Sequence, residues 1–150
     1  MGAVVAVDPG KHRCGVAVFL DGELAFAGTT RTAATPALVA SRILEAVRRA
    51  VTCPREAIWV VERPVRYARQ RESHVNLDAL DASIHALRLK VPEAKWVELH
   101  PSEWKGQLPK RVSRDRTRAK LAWGERSAVD PRANHDAWDA ISIGLFHLGR

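Results

Sequence analysis

Apolar positions fall first into short runs and only later into a helical period. Val4 to Val7 is an unbroken apolar run stopped by Asp8-Pro9-Gly10, which predicts a buried strand ending in a turn. Gly15 to Leu20 predicts a second strand, and Asp21-Gly22 a two-residue hairpin into a third over roughly 23–29. Thr35 then offers a helix cap and Pro36 a first-turn proline, with Leu38, Val39, Ile43, Val47, Ala50 and Val51 at helical spacing. Ile58-Trp59-Val60-Val61 predicts a fourth buried strand, ended by Glu62-Arg63-Pro64. The arginine-rich stretch to Ser73 has no apolar period and reads as loop. Leu77, Leu80, Ile84 and Leu87 then line one face of a second helix. Trp96 to Leu99 predicts a fifth strand closed by His100-Pro101; the residues to Ser113 read as irregular and 115–123 as helical. Asn134 caps a final helix running to about Leu148, before Gly149.

A hairpin meander followed by helical crossovers predicts an α/β domain: a mixed five-stranded sheet, antiparallel over its first three strands and flanked by helices. The 150 residues show no internal repeat, low-complexity tract or linker. They read as one domain, long enough to bury roughly 68–70% of its surface. No apolar run nears the roughly 18 residues of a membrane span, and the N-terminus lacks the features of a secretory signal. The chain therefore reads as soluble and cytoplasmic, with no membrane contact. Cys14 and Cys53 form no Cys-x-x-Cys pair, which leaves nothing from which to build a disulfide framework or a thiolate zinc site.

Charge changes the picture, because the formal net charge is +7. Between Lys105 and Lys120, seven basic residues (Lys105, Lys110, Arg111, Arg114, Arg116, Arg118, Lys120) stand against Asp115 alone. Arg63, Arg66, Arg69 and Arg71 add four more with no acid between them, so the remainder of the chain sums to −3. Basicity confined to two patches fits a polyanion held along a track better than diffuse attraction. These arginines are candidate nucleic-acid contacts, and Tyr67 among them offers a face on which an unpaired base stacks. A pair of solvated loops and an exposed helix face is the plainer alternative.

The acids point to chemistry. Asp8 and Glu62 each follow an apolar strand, and open α/β sheets bind ligands at the carboxyl ends of their strands. Either acid alone also suits a turn or a solvated strand end. Asp136 and Asp139 begin the last helix at i, i+3 and so share a face. The helix dipole alone would favour Asp136 there, but Asp139 lies amid Ala137, Trp138, Ala140, Ile141 and Leu145, where an unpaired carboxylate is costly. If these elements converge, like charges raise one another's pKa unless a cation neutralises them. Hard oxygen donors select Mg²⁺ or Mn²⁺, and two such ions roughly 3.5–4 Å apart hydrolyse phosphodiesters by in-line displacement. Lys and Arg would then hold the flanking phosphates.

Asp8-Pro9-Gly10 with Gly15-Val16-Ala17-Val18, Val60-Val61-Glu62-Arg63-Pro64 and His135-Asp136-Ala137-Trp138-Asp139-Ala140 together resemble the RuvC-like Holliday junction resolvases of the RNase H-like superfamily. The resemblance in element order spans almost the whole chain. It implies an RNase H-like fold, a homodimer, and paired nicks in a four-way DNA junction, with no small-molecule cofactor. It puts Asp8, Glu62, Asp136 and Asp139 at the metal-binding positions, with two Mg²⁺ or Mn²⁺ per site and His135 as a reserve for the third position. His100-Pro101-Ser102-Glu103-Trp104-Lys105-Gly106 resembles the family's loop after the fifth strand, which makes Lys105 and Lys110 the candidate catalytic lysines. Their compact spacing is more like phage-type members, in keeping with a bacterial or phage-infected cell.

Three rival readings stand beside this one. An RNase H-like nuclease of the YqgF type, acting on structured RNA, shares the first motif but generally lacks an acid at the position of Glu62. A non-cutting binding module is disfavoured by the filling of all four acidic positions. A nucleotide-binding fold of the actin and sugar-kinase type needs two such domains. Glu125 and Asp130 match no motif, His12, His74, His85, His100 and His147 have no ligand spacing, and the five tryptophans read as core or helix-packing residues.

Overall fold

The computed structural model describes the chain save for residues 1, 11, 32 and 64–70, and save for the side chains of 71–76. β1 (Ala3–Asp8), β2 (Arg13–Leu20) and β3 (Glu23–Arg31) form the meander, followed by α1 (Pro36–Arg48), β4 (Ile58–Glu62), α2 (Arg71–Lys90) and β5 (Lys95–Leu99). Three short helices, α3 (Pro101–Trp104), α4 (Lys110–Lys120) and α5 (Trp123–Arg126), lead to α6 (His135–His147). The sheet order is β3-β2-β1-β4-β5. β1 pairs antiparallel with β2 and parallel with β4, and β4 parallel with β5, the mixed five-stranded sheet that the strand spacing predicts.

Two apolar layers sandwich this sheet, which is why β1 reads apolar from Ala3 to Val7. Val5, Val7, Val16, Val18, Trp59 and Val61 face α1 and α2, whose Val39, Ile43, Val47, Ile84 and Leu87 complete one core. Val4, Ala6, Ala17, Phe19 and Val60 face the other way, toward Ala140, Ile141, Ile143 and Leu145 of α6. Period-two alternation thus gives each strand one face per layer. Thr35 caps α1 as expected, its Oγ1 accepting from Leu38 N at 3.3 Å. Leu38 itself is half exposed despite its place in the helical period. No helix among the described residues is long and apolar enough to cross a membrane, and both cysteines are free.

Helix starts differ from the sequence expectation at α2 and α4, and α3 (Pro101–Trp104) stands within a stretch that reads as irregular. α2 begins at Arg71, not after Ser73, because the apolar period reports only the packed part of a helix, and arginine and glutamate sustain a polar turn. α4 runs over Lys110–Lys120 rather than 115–123, with Thr117 its one buried residue. Leu121 then leaves the helix in extended conformation and enters the core. Trp123 consequently opens a separate turn and is 86% exposed, contrary to its reading as a core residue; its helix turns Glu125 inward instead.

Candidate active site

Alternation along the sheet sends the two strand-end acids the same way. Val4 and Ala6 of β1, and Ile58 and Val60 of β4, belong to the α6 layer; Asp8 and Glu62 are the next members of each series. β1 and β4 are parallel neighbours paired through Val7 and Val61, so the two carboxylates leave adjacent strand ends. Asn134 caps α6, its Oδ1 accepting from Asp136 N at 3.0 Å, and Asp136 and Asp139 follow within the first turns.

The electrostatics tie the four acids together. Asp8 is only 8% exposed, and burial, then the charges of Glu62 and Asp139, push its carboxyl well above the usual aspartate range; Asp136 adds to the rise and Lys105 opposes it. Burial also raises Glu62, as does Asp139, against the pull of Lys105, Trp104 and His100. Lys105 Nζ donates to Asp139 Oδ2 at 3.1 Å and lies 5.1 Å from the centre of the Trp104 ring. Burial works against the Lys105 charge, but Asp139, Glu62 and Asp8 outweigh it and hold the ammonium above its ordinary value. Lys105 is thus the counter-charge of the cluster.

Two observations bear on whether these residues suit a divalent cation. The donor set is all carboxylate oxygen, the chemistry of Mg²⁺ and Mn²⁺ sites. Glu62 Oε2 is buried with no hydrogen-bond partner among the described residues, a costly state that a cation would relieve. As the side chains stand, no three His, Cys, Asp or Glu among the described residues are gathered closely enough to hold an ion. The donors therefore fit the metal in kind, and Lys105 offsets only part of their charge. His135, the reserve ligand, points its Nε2 at Asp136 Oδ1, 3.0 Å away; its side chain is 55% exposed against 16% for Asp136.

The basic residues divide. Lys110, Arg111 and Arg114 of α4 line a hollow with His135, Trp138 and Asp139, next to the acids. Arg116 lines a different hollow with Trp104, Lys105 and Ser142, and Arg118 is exposed on the same helix. Arg63 follows β4, exposed, its backbone N–H donating to Leu99 O at 2.8 Å. Arg66, Tyr67 and Arg69 lie outside the described residues, as does the side chain of Arg71.

Sequence reasoning passed over two neighbours of the site. Trp104, read as a packing residue, has its indole beside Glu62 and its ring beside Lys105. His100 caps α3, where Ser102 N donates to its Nδ1 at 3.3 Å, and its charge is felt at Glu62. Both stand in the segment that carries Lys105, which was the available signal. Glu125, set aside for want of a motif, is buried elsewhere and accepts from Leu24 N, Ala122 N and both terminal nitrogens of Arg150.

An antiparallel meander continued by parallel β4 and β5, with α6 across one face, defines an RNase H-like fold. Two solved structures similar to it are RuvC structures. RuvC of Thermus thermophilus in complex with a Holliday junction substrate matches with a TM-score of 0.68 and 22% identity, covering 97% of this chain and 92% of that one. A second Thermus thermophilus RuvC structure matches with a TM-score of 0.64 and 24% identity, over 97% and 93% of the two chains. No protein-family model matches the sequence, and no curated protein matches it. The likeness establishes the fold that the sequence motifs imply.

Proposed function

We propose that this protein is a metal-dependent endonuclease that resolves four-way DNA junctions by paired phosphodiester hydrolysis. What supports the reading is that the charges of Glu62, Asp136 and Asp139, from a second strand and a helix, reach the buried Asp8 and outnumber the lysine, Lys105, that faces them among the described residues. The similar RuvC structure that holds a Holliday junction supports the choice of substrate. Bound Mg²⁺ or Mn²⁺ would activate water and stabilise the leaving oxygen. Asp8, Glu62, Asp136 and Asp139 would hold it, with Asp136 preferred to His135 because its charge reaches Asp8 and its side chain is the less exposed.

Lys105 keeps its proton amid the acids and would hold a phosphate oxygen by charge and hydrogen bond. Lys110, Arg111 and Arg114 lie along the adjoining hollow, where they would grip flanking phosphates. Paired nicks across a two-fold junction need two such sites, which one chain supplies only as a homodimer. We place the activity in the cytoplasm of a bacterial or phage-infected cell.

The test is cleavage of a panel of four-way junction, duplex, flap, RNA–DNA hybrid and structured RNA in Mg²⁺ or Mn²⁺. Symmetric nicking of the junction by the wild type and none by Asp8→Asn is the expected result. Preference for structured RNA would point to an RNA-processing nuclease, and junction binding without cutting to a binding module.

A further inference from the structure

Gly15 is the register partner of Asp8 across the β1–β2 pair. By alternation it belongs to the same face as Ala17 and Phe19, the face on which α6 lies. A Cβ built on Gly15 would stand 1.8 Å from Asp136 O, 2.3 Å from Asp136 C and 2.9 Å from Ala137 N. All three are backbone atoms, so no side-chain rotation makes room. Gly15 is not among the positive-φ residues; space alone demands glycine here. One residue therefore touches both halves of the site: the strand end that carries Asp8 and the helix turn that carries Asp136.

We propose that Gly15 is a positioning residue, a seat of minimal height that sets how closely the first turn of α6 approaches Asp8. The proposal rests on the metal-site reading above and adds what fixes its spacing. α6 has a second such seat at its far end, where a Cβ on Gly144 would stand 2.1 Å from Cε2 of Phe19. Phe19 pairs with Val4, at the opposite end of β1 from Asp8. The two glycines thus hold the same helix on the same strand, one at the acids and one remote from them.

That pairing supplies the control. Gly15→Ala must lift the Asp136 carbonyl by roughly an ångström or more, since Cβ contacts below 3.0 Å are essentially never seen. Misplacement on that scale costs about 100-fold in rate, and faults in the support of metal ligands about 10- to 100-fold in affinity. Mn²⁺ affinity of the whole folded protein, by calorimetry, is the primary reading, with junction binding, cleavage and melting temperature beside it. Gly15→Ala is expected to bind Mn²⁺ at least tenfold more weakly and to cleave about 100-fold more slowly, while still binding junction. Gly144→Ala is expected to melt earlier and to keep its Mn²⁺ affinity.

Ala137→Val raises the same turn from the helix side, at a fully buried position, and answers the question if Gly15→Ala does not fold. Wild-type Mn²⁺ affinity in whichever of these two folds overturns the proposal, as does an equal loss in Gly144→Ala. A wild type that binds no Mn²⁺ overturns the metal-site reading and the proposal together.

Discussion

Glu125 and Asp8 are both buried carboxylates in contact with the α6 side of the fold, and they are held in opposite ways. Glu125 is saturated: two backbone N–H groups at 2.7–2.8 Å and a bidentate Arg150 at 2.7–2.8 Å satisfy both oxygens, bringing its carboxyl down to about 2. Asp8 has no such shell among the described residues. Burial and three other acids push its carboxyl up, and among the described residues Lys105 opposes them. A carboxylate with every lone pair occupied by its own chain is a structural clamp, here tying the C-terminus to α5 and to the start of β3. Carboxylates left short of positive charge form a place for a ligand that brings it.

The contrast is sharpest at Asp8→Asn and Glu62→Gln. Each should lower junction cleavage by about 10³-fold, the scale of a lost charge-stabilising group at a reaction centre, in a cleavage assay at saturating Mg²⁺. Each should also raise the melting temperature at pH 7 without metal, because a buried charge among like charges has been removed. Loss of stability in both variants would break the comparison.

Glu125→Ala should do the reverse. It leaves Arg150 and two N–H groups without their acceptor, a loss of about 3 kcal/mol or roughly 10 °C in melting temperature, with cleavage kept below the transition. Titration separates the two regions further. The folded pKa of Glu125 lies below its unfolded value of 4.5, so its contribution is full above that value and is lost as pH falls toward about 2, an effect on the order of 3 kcal/mol. Asp8 is raised, so its contribution is present below its ordinary value of 3.8 and is lost as pH rises through the folded one. Urea midpoints against pH should therefore flatten on the acid side in Glu125→Gln and at higher pH in Asp8→Asn.

What could be read from the sequence follows the same division. Asp8, Glu62 and the α6 acids were legible because apolar strands end abruptly at them and a capped helix begins beside them; burial writes itself into such runs. α4 left no apolar period, since only Thr117 of its eleven residues is buried, so its start at Lys110 and its face toward the site were not legible. The role of Glu125 was hidden for another reason. Its partners Leu24, Ala122 and Arg150 are brought together only by the finished fold, and backbone donors have no sequence signature. Gly15 stood within a recognised strand, but its closeness to Asp136 O is a fact of helix docking that strand alternation alone does not convey.

The smallest effect belongs to the counter-charges. Arg150 grips Glu125 through two nitrogens, whereas Lys105 makes one contact with Asp139, and its side chain is 33% exposed. Lys105→Met should therefore cost only about 1 kcal/mol at pH 7, as expected of a partly solvated pair, well below the Glu125 loss. The cost should shrink further in the Asp8→Asn background, because one of the acids that Lys105 offsets is then neutral, and a double-mutant cycle on melting temperatures measures that coupling. Added Mn²⁺ should restore Lys105→Met more than it stabilises the wild type, since the ion and the ammonium answer the same deficit of charge. A Lys105 variant as unstable as Glu125→Ala, and indifferent to Mn²⁺, would mean that the acidic cluster is a second clamp and that its lysine has the role of Arg150.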